Sequence, residues 1–302
     1  MTYYEGPIVD AHHHLFWDWQ NNYHWMAAPM KPMIFGEDWT SLKRDYLIGN
    51  LLQDFAPHYV VKSVHVQANF DFSRPVDETR GLQMVADKHE YPQGIVAFAN
   101  MTDPDVDKVL DEHLYYENVC GIRHQAYWHK SNPDWRWVDR EDLCLSDDFR
   151  RGLDWVRKKG LTFDWQGFAT QFDQLVTLAR AFPDLKFCLE HAGMLTNTNP
   201  ANVADHAEAL KKLLPLDNVF IKVSGLNTFS RRLDQEMIQI VLKMVLEIFG
   251  PDRCFFGSNY PVERMWTSYE GYISAHKKAL ADRSDTVCQK LFHDTAISFY
   301  EI

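Results

Sequence analysis

Residues 7–14 have the sequence Pro7-Ile8-Val9-Asp10-Ala11-His12-His13-His14, an apolar segment that ends in three histidines. This pattern predicts a β-strand, and because alternate side chains of a strand share one face, His12 and His14 are expected to point the same way. Imidazole is the commonest neutral metal ligand near pH 7, so the pair predicts a metal site, with Asp10 on the same face to orient it. A histidine-rich tag or surface cluster is the alternative, but tags are longer and rarely follow an apolar strand.

Seven further segments of this kind follow along the chain. Each is short and rich in β-forming residues, and each is followed by a loop and a stretch with helical spacing of apolar residues. The eight predicted strands lie near residues 7–14, 63–68, 94–101, 119–125, 161–167, 186–193, 219–226 and 254–260. Helices are expected at 40–55, 75–90, 104–116, 149–159, 169–182, 201–214, 232–249, 268–281 and 285–300. This alternation predicts a (β/α)8 TIM barrel that takes up residues 1–302 as a single domain.

Two of the loops that follow predicted strands, residues 15–39 and 126–145, are long and rich in aromatic residues. Loops after strands form the active-site face of such a barrel, and long loops often carry function. We therefore expect an aromatic-walled pocket for a small molecule, with Trp17 and Trp128 as substrate contacts. The alternative is that these rings cap the barrel as ordinary core.

Polar residues occupy positions predicted to point inward at the ends of most strands, as an active site assembled from several strands requires. They are His65 and Gln67 on the second strand, Arg123 and Gln125 on the fourth, Asp164 and Gln166 on the fifth, His191 on the sixth, Lys222 and Ser224 on the seventh, and Asn259 on the eighth. We expect four of them to contact the substrate: His65, Gln67, Arg123 and Lys222.

Three of these positions allow more than one role. His191 suits a metal ligand or a general acid and base. Arg123 suits a bidentate clamp on a carboxylate, or an internal salt bridge with Asp164 or Glu190. Lys222 requires a counter-charge if it is buried, and electrostatic support is expected of it rather than Schiff-base chemistry.

The bulk properties narrow the class of partner. A net charge of −11 disfavours nucleic acid, which is bound through clustered Lys and Arg. No apolar run is long enough to cross a bilayer, and the first strand starts too early to leave room for a signal peptide. We therefore expect a cytoplasmic protein with a small-molecule substrate that carries a carboxylate or hydroxyls, without a membrane or nucleic-acid partner. A homo-oligomer is compatible with the sequence.

In order along the chain, these motifs resemble the amidohydrolase superfamily, in the amidohydrolase 2 branch that includes sugar lactonases and 2-pyrone-4,6-dicarboxylate lactonase. The resemblance covers nearly the whole chain and rests on residues 9–18, 63–68, 121–123, 190–193, 222–226 and 256–262. It implies a (β/α)8 hydrolase in which His12, His14 and His191 hold one divalent metal ion, zinc first among the candidates, while Arg123 binds an acid group. Some members of the branch work without a metal, in which case His12 and His14 donate hydrogen bonds to the substrate.

The residue after the eighth strand departs from the family pattern. Many relatives have an aspartate there that binds metal or acts as a general base, whereas this chain has Asn259, in Ser258-Asn259-Tyr260-Pro261. An amide cannot take up a proton near neutral pH. The expected proton acceptor is therefore His191 or Glu263, and Asn259 is expected to orient a water or to ligate a metal weakly.

These observations predict a hydrolase that opens a lactone derived from a sugar acid or an aromatic breakdown product. Water would attack the carbonyl with assistance from a metal or from the histidines. Two alternatives stay open: a decarboxylase of the same branch, and a non-catalytic binder of sugar acids, which Asn259 would suit.

Overall fold

Eight parallel strands form the centre of the molecule, and the computed structural model describes residues 3–302. The strands are β1 Ile8–His13, β2 Val60–Val66, β3 Gly94–Ala97, β4 Val119–Arg123, β5 Thr162–Trp165, β6 Phe187–Leu189, β7 Val219–Val223 and β8 Cys254–Phe256. Each pairs in parallel with the next along the chain. The backbone of β1 reaches the segment after β8, where the Asn259 amide donates to the His12 carbonyl at 2.6 Å. The predicted (β/α)8 TIM barrel is confirmed.

Helices follow the strands on the outside of the barrel. They are α1 Trp19–Asn22, α2 His24–Ala27, α3 Ile48–Phe55, α4 Pro75–His89, α5 Val106–His113, α6 Asp147–Lys158, α7 Phe172–Ala181, α8 Pro200–Lys211, α9 Gln235–Phe249, α10 Tyr269–Ala279, α11 Asp285–Gln289 and α12 Thr295–Tyr300. Local sequence sets several of their ends. The Ser146 hydroxyl caps α6 by accepting from the Phe149 amide, and the Asp234 carboxylate caps α9 by accepting from the Met237 amide. In residues 3–302, no helix combines the length and apolarity needed to cross a membrane.

The helix predicted over 40–55 forms only from Ile48. Residues 40–42 form a separate 3-10 turn, and Tyr46 then pairs with Phe16 of the first loop through two backbone hydrogen bonds of 2.8 and 2.9 Å. The predicted helix 285–300 is also divided, into α11 and α12 with a wider turn between them.

The barrel interior has an apolar lower layer. Side chains from most strands pack there against the last helix, α12, which covers the amino-terminal end of the barrel: Val9, Ala11, Val64, Val66, Val96, Cys188, Phe255, Ala296, Phe299 and Tyr300. A separate, larger core lies between the strands and the outer helices. The lower end is therefore filled, and polar side chains collect at the carboxyl ends of the strands.

Candidate active site

A cavity lies at the carboxyl ends of the strands. Its polar lining consists of His14, Asn69, Arg123, Gln125, Gln166, His191, Thr228 and Asn259. The remaining lining is mainly apolar and aromatic, and much of it comes from the loops after β1 and β4: Phe16, Trp25, Met33, Ile34, Phe35, Tyr127 and Trp137. A polar base beneath an aromatic upper wall suits a small polar ring.

Three histidine side chains meet at one side of this cavity. The ring centroid of His12 lies 5.0 Å from that of His14 and 4.8 Å from that of His191. His14 and His191 line the cavity, whereas His12 is fully buried beside them. The structure thus brings together the three residues that the sequence predicts as metal ligands.

The three imidazoles are held in the neutral state. Burial, with a contribution from the Lys222 charge, lowers the pKa of His12 well below its usual value. Burial, with the Arg123 charge second, lowers the pKa of His14 and of His191 to about 3 in each case. A neutral imidazole has one nitrogen with a free lone pair, the form that binds a metal or accepts a proton.

Hydrogen bonds define the free nitrogen of His14. Its Nδ1 donates to the Val66 carbonyl at 2.7 Å, so Nε2 carries the lone pair, and this atom lies 3.4 Å from Asn259 Oδ1. Two acceptors that face each other are unfavourable unless a cation lies between them or the amide turns its NH2 group toward the ring. The contact therefore suits either a metal site or a donor role of Asn259 toward His14.

The backbone after β6 places His191 in the cavity wall. His191, Ala192 and Met194 all have positive φ values, of 54°, 48° and 58°. The Nδ1 atom of His191 lies 2.9 Å from the Ser224 hydroxyl oxygen, which leaves Nε2 without a protein partner. A Cβ on Gly225 would lie 2.6 Å from this same Nδ1, so the close approach of the ring requires glycine there.

The cluster fits a divalent metal ion. Ligand atoms of His12, Glu190 and His191 all lie within 4.8 Å of one another. Neither ring nitrogen of the buried His12 makes a hydrogen bond, and Glu190 Oε1 lies 3.4 Å from its Nδ1. Buried nitrogens without partners cost free energy that a bound cation would recover, and imidazole with carboxylate is a donor set of catalytic zinc sites.

Arg123 is paired within the protein. One terminal nitrogen lies 2.9 and 3.2 Å from the two carboxylate oxygens of Glu190, and the other donates to the Gln67 carbonyl. Of the two internal salt bridges that the sequence allows, the one with Glu190 therefore forms. Arg123 also lines the cavity, and its Nε has no hydrogen-bond partner. Its role as a substrate clamp stays a prediction.

Lys222 lies lower in the barrel and does not line the cavity. It is fully buried, and its Nζ is 2.6 Å from Asp164 Oδ2, which supplies the required counter-charge. The Tyr300 hydroxyl donates to the same carboxylate at 2.8 Å. The structure thus offers no route for the expected substrate contact of Lys222, because its ammonium is engaged below the site. Its charge acts on the site through His12 and His191, whose pKa values it lowers.

Glu263 is fully buried next to Asn259 but does not line the cavity. Asn227, Asn259 and Thr228 are its polar neighbours, and burial raises its pKa to about 8. At pH 7 the carboxyl group is therefore mostly protonated. Of the two expected proton acceptors, His191 is the one placed in the cavity wall, where its Nε2 has no protein partner.

Neither of the two predicted contacts from the second strand lines the cavity. Val64 and Val66 take the inward positions of β2, so His65 points outward, with its ring centroid 5.7 Å from that of His13. Gln67 supports the wall from behind, since its carbonyl accepts from Arg123 and its Oε1 accepts from the Asn69 amide.

The two predicted aromatic contacts, Trp17 and Trp128, also lie outside the cavity lining. Trp17 packs against Phe70, at 5.7 Å between ring centroids. The Arg136 guanidinium lies 4.0 Å from the ring centroid of Trp128. Other rings from the same loops line the cavity instead.

Asp10 does not contact the imidazoles that it was expected to orient. Its carboxylate accepts from the backbone amides of Ser258 and His12, at 2.8 and 3.3 Å, and from the Tyr269 hydroxyl at 3.0 Å. It therefore joins β1 to the segment after β8 through the backbone. Glu190 is the carboxylate beside the imidazoles, and its signal in the sequence is an acidic residue at the end of an apolar strand, directly before His191.

The chain belongs to the amidohydrolase family, because the family model described as Amidohydrolase matches residues 9–302. This confirms the resemblance drawn from the motifs. Among individual proteins, the chain is 36% identical over 296 residues to the uncharacterized protein y4mH of Sinorhizobium fredii, with 98% of each chain covered.

Two further relatives come from Burkholderia multivorans. An L-fucono-1,5-lactonase is 27% identical over 278 residues, which covers 88% of this chain and 86% of that protein. A crystal structure of an amidohydrolase with bound zinc superposes with a TM-score of 0.81 at 25% identity, over 98% of this chain and 100% of that one.

Proposed function

We propose that this protein hydrolyses the ester bond of a sugar-acid lactone. The observation that supports this most directly is the meeting of neutral His14 and His191 with Asn259 in the wall of one cavity. These groups can polarise a carbonyl and manage the proton of an attacking water. The lactonase from Burkholderia multivorans, with 27% identity, supports the same class of substrate.

The side chains suggest a simple sequence of steps. Water attacks the lactone carbonyl carbon while its proton passes to Nε2 of His191, which has no protein partner. The bond between this carbon and the ring oxygen then breaks, and the ring oxygen takes the proton from His191. The product is the open-chain hydroxy acid. When Asn259 turns its NH2 group toward His14, one N–H donates to Nε2 of His14 and the other can donate to the carbonyl oxygen, so His14 fixes the amide that orients the carbonyl.

A divalent ion, when bound, would polarise the carbonyl and lower the pKa of a water. His12, His191 and Glu190 are the residues that would hold it. One nitrogen of His191 cannot both ligate a metal and take up a proton. The metal content of the active protein therefore decides which of the two roles His191 has.

The charge of the cavity favours an uncharged ring. Arg123 is the only cationic side chain among the lining residues, and Glu190 neutralises it. A substrate with two carboxylates, such as a pyrone dicarboxylate, would find no second cation there. Amide and hydroxyl side chains in the wall instead match the hydroxyl groups of a sugar-acid lactone, and the aromatic rings above suit the apolar face of its ring.

A panel of lactones tests the proposal. Acid release from L-fucono-1,5-lactone and related 1,5-lactones is measured for the wild type and for His12→Gln and His191→Gln, together with elemental analysis for metal. We expect kcat/KM to fall by about 10²–10⁴-fold in His191→Gln, and by a similar factor in His12→Gln when the elemental analysis finds a metal. His113→Gln is the control, because His113 is a fully buried histidine with hydrogen bonds at both ring nitrogens that lies outside the cavity. A wild-type rate in His191→Gln, or no lactone turnover at all, would contradict the proposal.

Product analysis separates the alternatives. A decarboxylase would release carbon dioxide from an acid rather than open a ring. A non-catalytic binder would hold a sugar acid without turnover, and Asn259→Asp would then confer hydrolysis by adding the carboxylate found in many relatives.

A further inference from the structure

We infer that Gln125 and Gln166 form a specificity-determining subsite that binds hydroxyl oxygens of the substrate ring, on the side away from the reacting carbonyl. This inference rests on the proposed lactone substrate. Neither residue is needed for the hydrolytic steps above.

The two glutamines belong to a chain of hydrogen bonds along the cavity wall. Asn69 Nδ2 donates to Gln125 Oε1 at 2.8 Å, and Gln125 Nε2 donates to Gln166 Oε1 at 2.8 Å. Gln166 Nε2 then lies 3.4 Å from the sulfur of Met194. All four residues line the cavity, and the two glutamines are only 9% and 2% exposed. Fixed, buried amides of this kind form a built wall rather than a mobile surface.

Met194 defines which group donates and which accepts in this series of hydrogen bonds. A thioether sulfur accepts a weak hydrogen bond but cannot donate one, so Gln166 must turn its nitrogen, and not its oxygen, toward Met194. The oxygen of Gln166 then accepts from Gln125, and the oxygen of Gln125 accepts from Asn69. Each step depends on the one before, so the orientation of all three amides follows from one sulfur atom.

This direction leaves N–H groups for a ligand. A side-chain amide has two N–H donors, and this series of hydrogen bonds uses one N–H of Gln125 and one N–H of Gln166. The neighbouring Arg123 has donors only, and its Nε is buried without a partner. Asn69 Oδ1 in the same wall is a buried acceptor without a partner. The wall therefore suits a group that both accepts and donates hydrogen bonds, as a hydroxyl does. Because Glu190 neutralises Arg123, uncharged acceptors such as hydroxyl oxygens suit it best.

The order of strands places this wall across the cavity from His14 and Asn259, the residues beside the reacting carbonyl. Gln125 and Gln166 follow β4 and β5, whereas His14 and Asn259 follow β1 and β8. In an eight-stranded barrel, β4 and β5 lie opposite the junction of β8 and β1. A six-membered lactone with its carbonyl at His14 and Asn259 thus presents its far ring carbons, and their hydroxyls, to the two glutamines.

Binding of lactams tests the subsite without any turnover. D-glucono-1,5-lactam and its epimer at carbon 4 carry the ring hydroxyls, whereas 2-piperidone has the same ring without them. Dissociation constants are measured by calorimetry for the wild type, Gln166→Glu and Gln166→Met. Gln166→Glu keeps the oxygen that accepts from Gln125 and removes the N–H donors, and Gln166→Met removes the donors without adding charge. Gln83→Met is the control, since Gln83 is 8% exposed and lies outside the cavity.

We expect both Gln166 variants to bind the better hydroxylated lactam about threefold to tenfold more weakly, the effect of one hydrogen bond. Binding of 2-piperidone should stay within about twofold, and the control should change neither. Equal weakening of all lactams, no weakening, or no lactam binding by the wild type would overturn the subsite. Turnover of L-fucono-1,5-lactone by the wild type is measured separately. Turnover without hydroxyl-selective binding rejects the subsite alone, whereas selective binding without turnover rejects the hydrolase alone.

Discussion

His191 reaches the cavity through an unusual backbone. Three non-glycine residues in this short turn, His191, Ala192 and Met194, have left-handed φ values. Each such residue costs on the order of 1–2 kcal/mol, and strain of this kind persists where surrounding contacts hold it. Those contacts include a 2.9 Å bond between His206 Nε2 and the Ala192 carbonyl, and the bond between His191 and Ser224. The fold therefore maintains a costly turn in order to present one imidazole.

Replacing Ser224 tests how far the orientation of His191 matters. Ser224→Ala removes the hydrogen bond at Nδ1 that holds the orientation of the ring, and we expect kcat/KM to fall by about 10–100-fold. Ser63→Ala is the matched control: Ser63 is equally buried and lies 2.9 Å from His13 Nε2, outside the cavity. Steady-state kinetics with melting temperatures checks the result. A similar loss of activity in both variants would instead indicate a general effect on stability.

The sequence predicts inward-pointing residues well on some strands and poorly on others. On β5, Asp164 is inward and Trp165 outward, as the alternation predicts. On β2 the same rule fails, because Val64 and Val66 fill the apolar lower layer of the barrel and His65 packs outside it. A barrel interior is apolar below and polar above, so polarity alone does not identify the inward face of a strand. The pairing of Arg123 with Glu190 also depends on neighbouring strands, which local patterns do not describe.

At the level of elements, the sequence identifies the long aromatic loops, but it does not show which of their rings face the cavity. The first loop contributes Phe16 and Trp25 to the cavity, whereas Trp17 packs away from it. Which ring faces the cavity depends on pairing with distant segments, such as that of Phe16 with Tyr46. The same pairing shortens the predicted helix over 40–55, although its local sequence favours a longer one.

Helix α4 contains a buried carboxyl group that links stability to pH. Glu78 is 2% exposed, and its Oε1 accepts from the Ala68 amide at 3.1 Å, next to the loop that carries Asn69. Burial raises its pKa from the usual 4.5 to about 8. The folded state therefore holds this proton more tightly than the unfolded state. The resulting stabilisation is complete below about pH 4.5 and is lost as the pH rises through about 8.

Glu78→Gln should remove this pH dependence. Glutamine keeps an oxygen for the Ala68 amide and cannot ionise, so the variant should gain stability relative to the wild type between pH 5 and pH 9, by a few degrees in melting temperature at the upper end. Thermal unfolding across this range measures it, with Glu112→Gln, an exposed position on α5, as the control. A constant difference between variant and wild type at all pH values would show that Glu78 is ionised in the folded protein.

At the level of the whole molecule, the last helix connects the closed end of the barrel to the layer beneath the site. Tyr300 of α12 packs in the lower interior, and its hydroxyl contacts both Asp164 oxygens, at 3.0 and 2.8 Å. Asp164 in turn holds Lys222, whose charge lowers the pKa of His12. The carboxyl-terminal helix thus stabilises an ion pair that lies between the apolar lower layer of the barrel and the histidine cluster.

Tyr300→Phe isolates the contribution of this helix. The change leaves a buried carboxylate with one donor fewer, which costs about 1.5–3 kcal/mol, so the melting temperature should fall by several degrees. Activity should stay within about twofold, because Lys222 still neutralises Asp164.

Tyr269→Phe is the matched comparison, since its hydroxyl donates to Asp10 at 3.0 Å and Asp10 holds the backbone of His12 and Ser258. That variant should lose both stability and kcat. If Tyr300→Phe reduces kcat as strongly as Tyr269→Phe does, but without a lower melting temperature, the hydrogen bond from Tyr300 to Asp164 supports the chemistry rather than the stability of the fold.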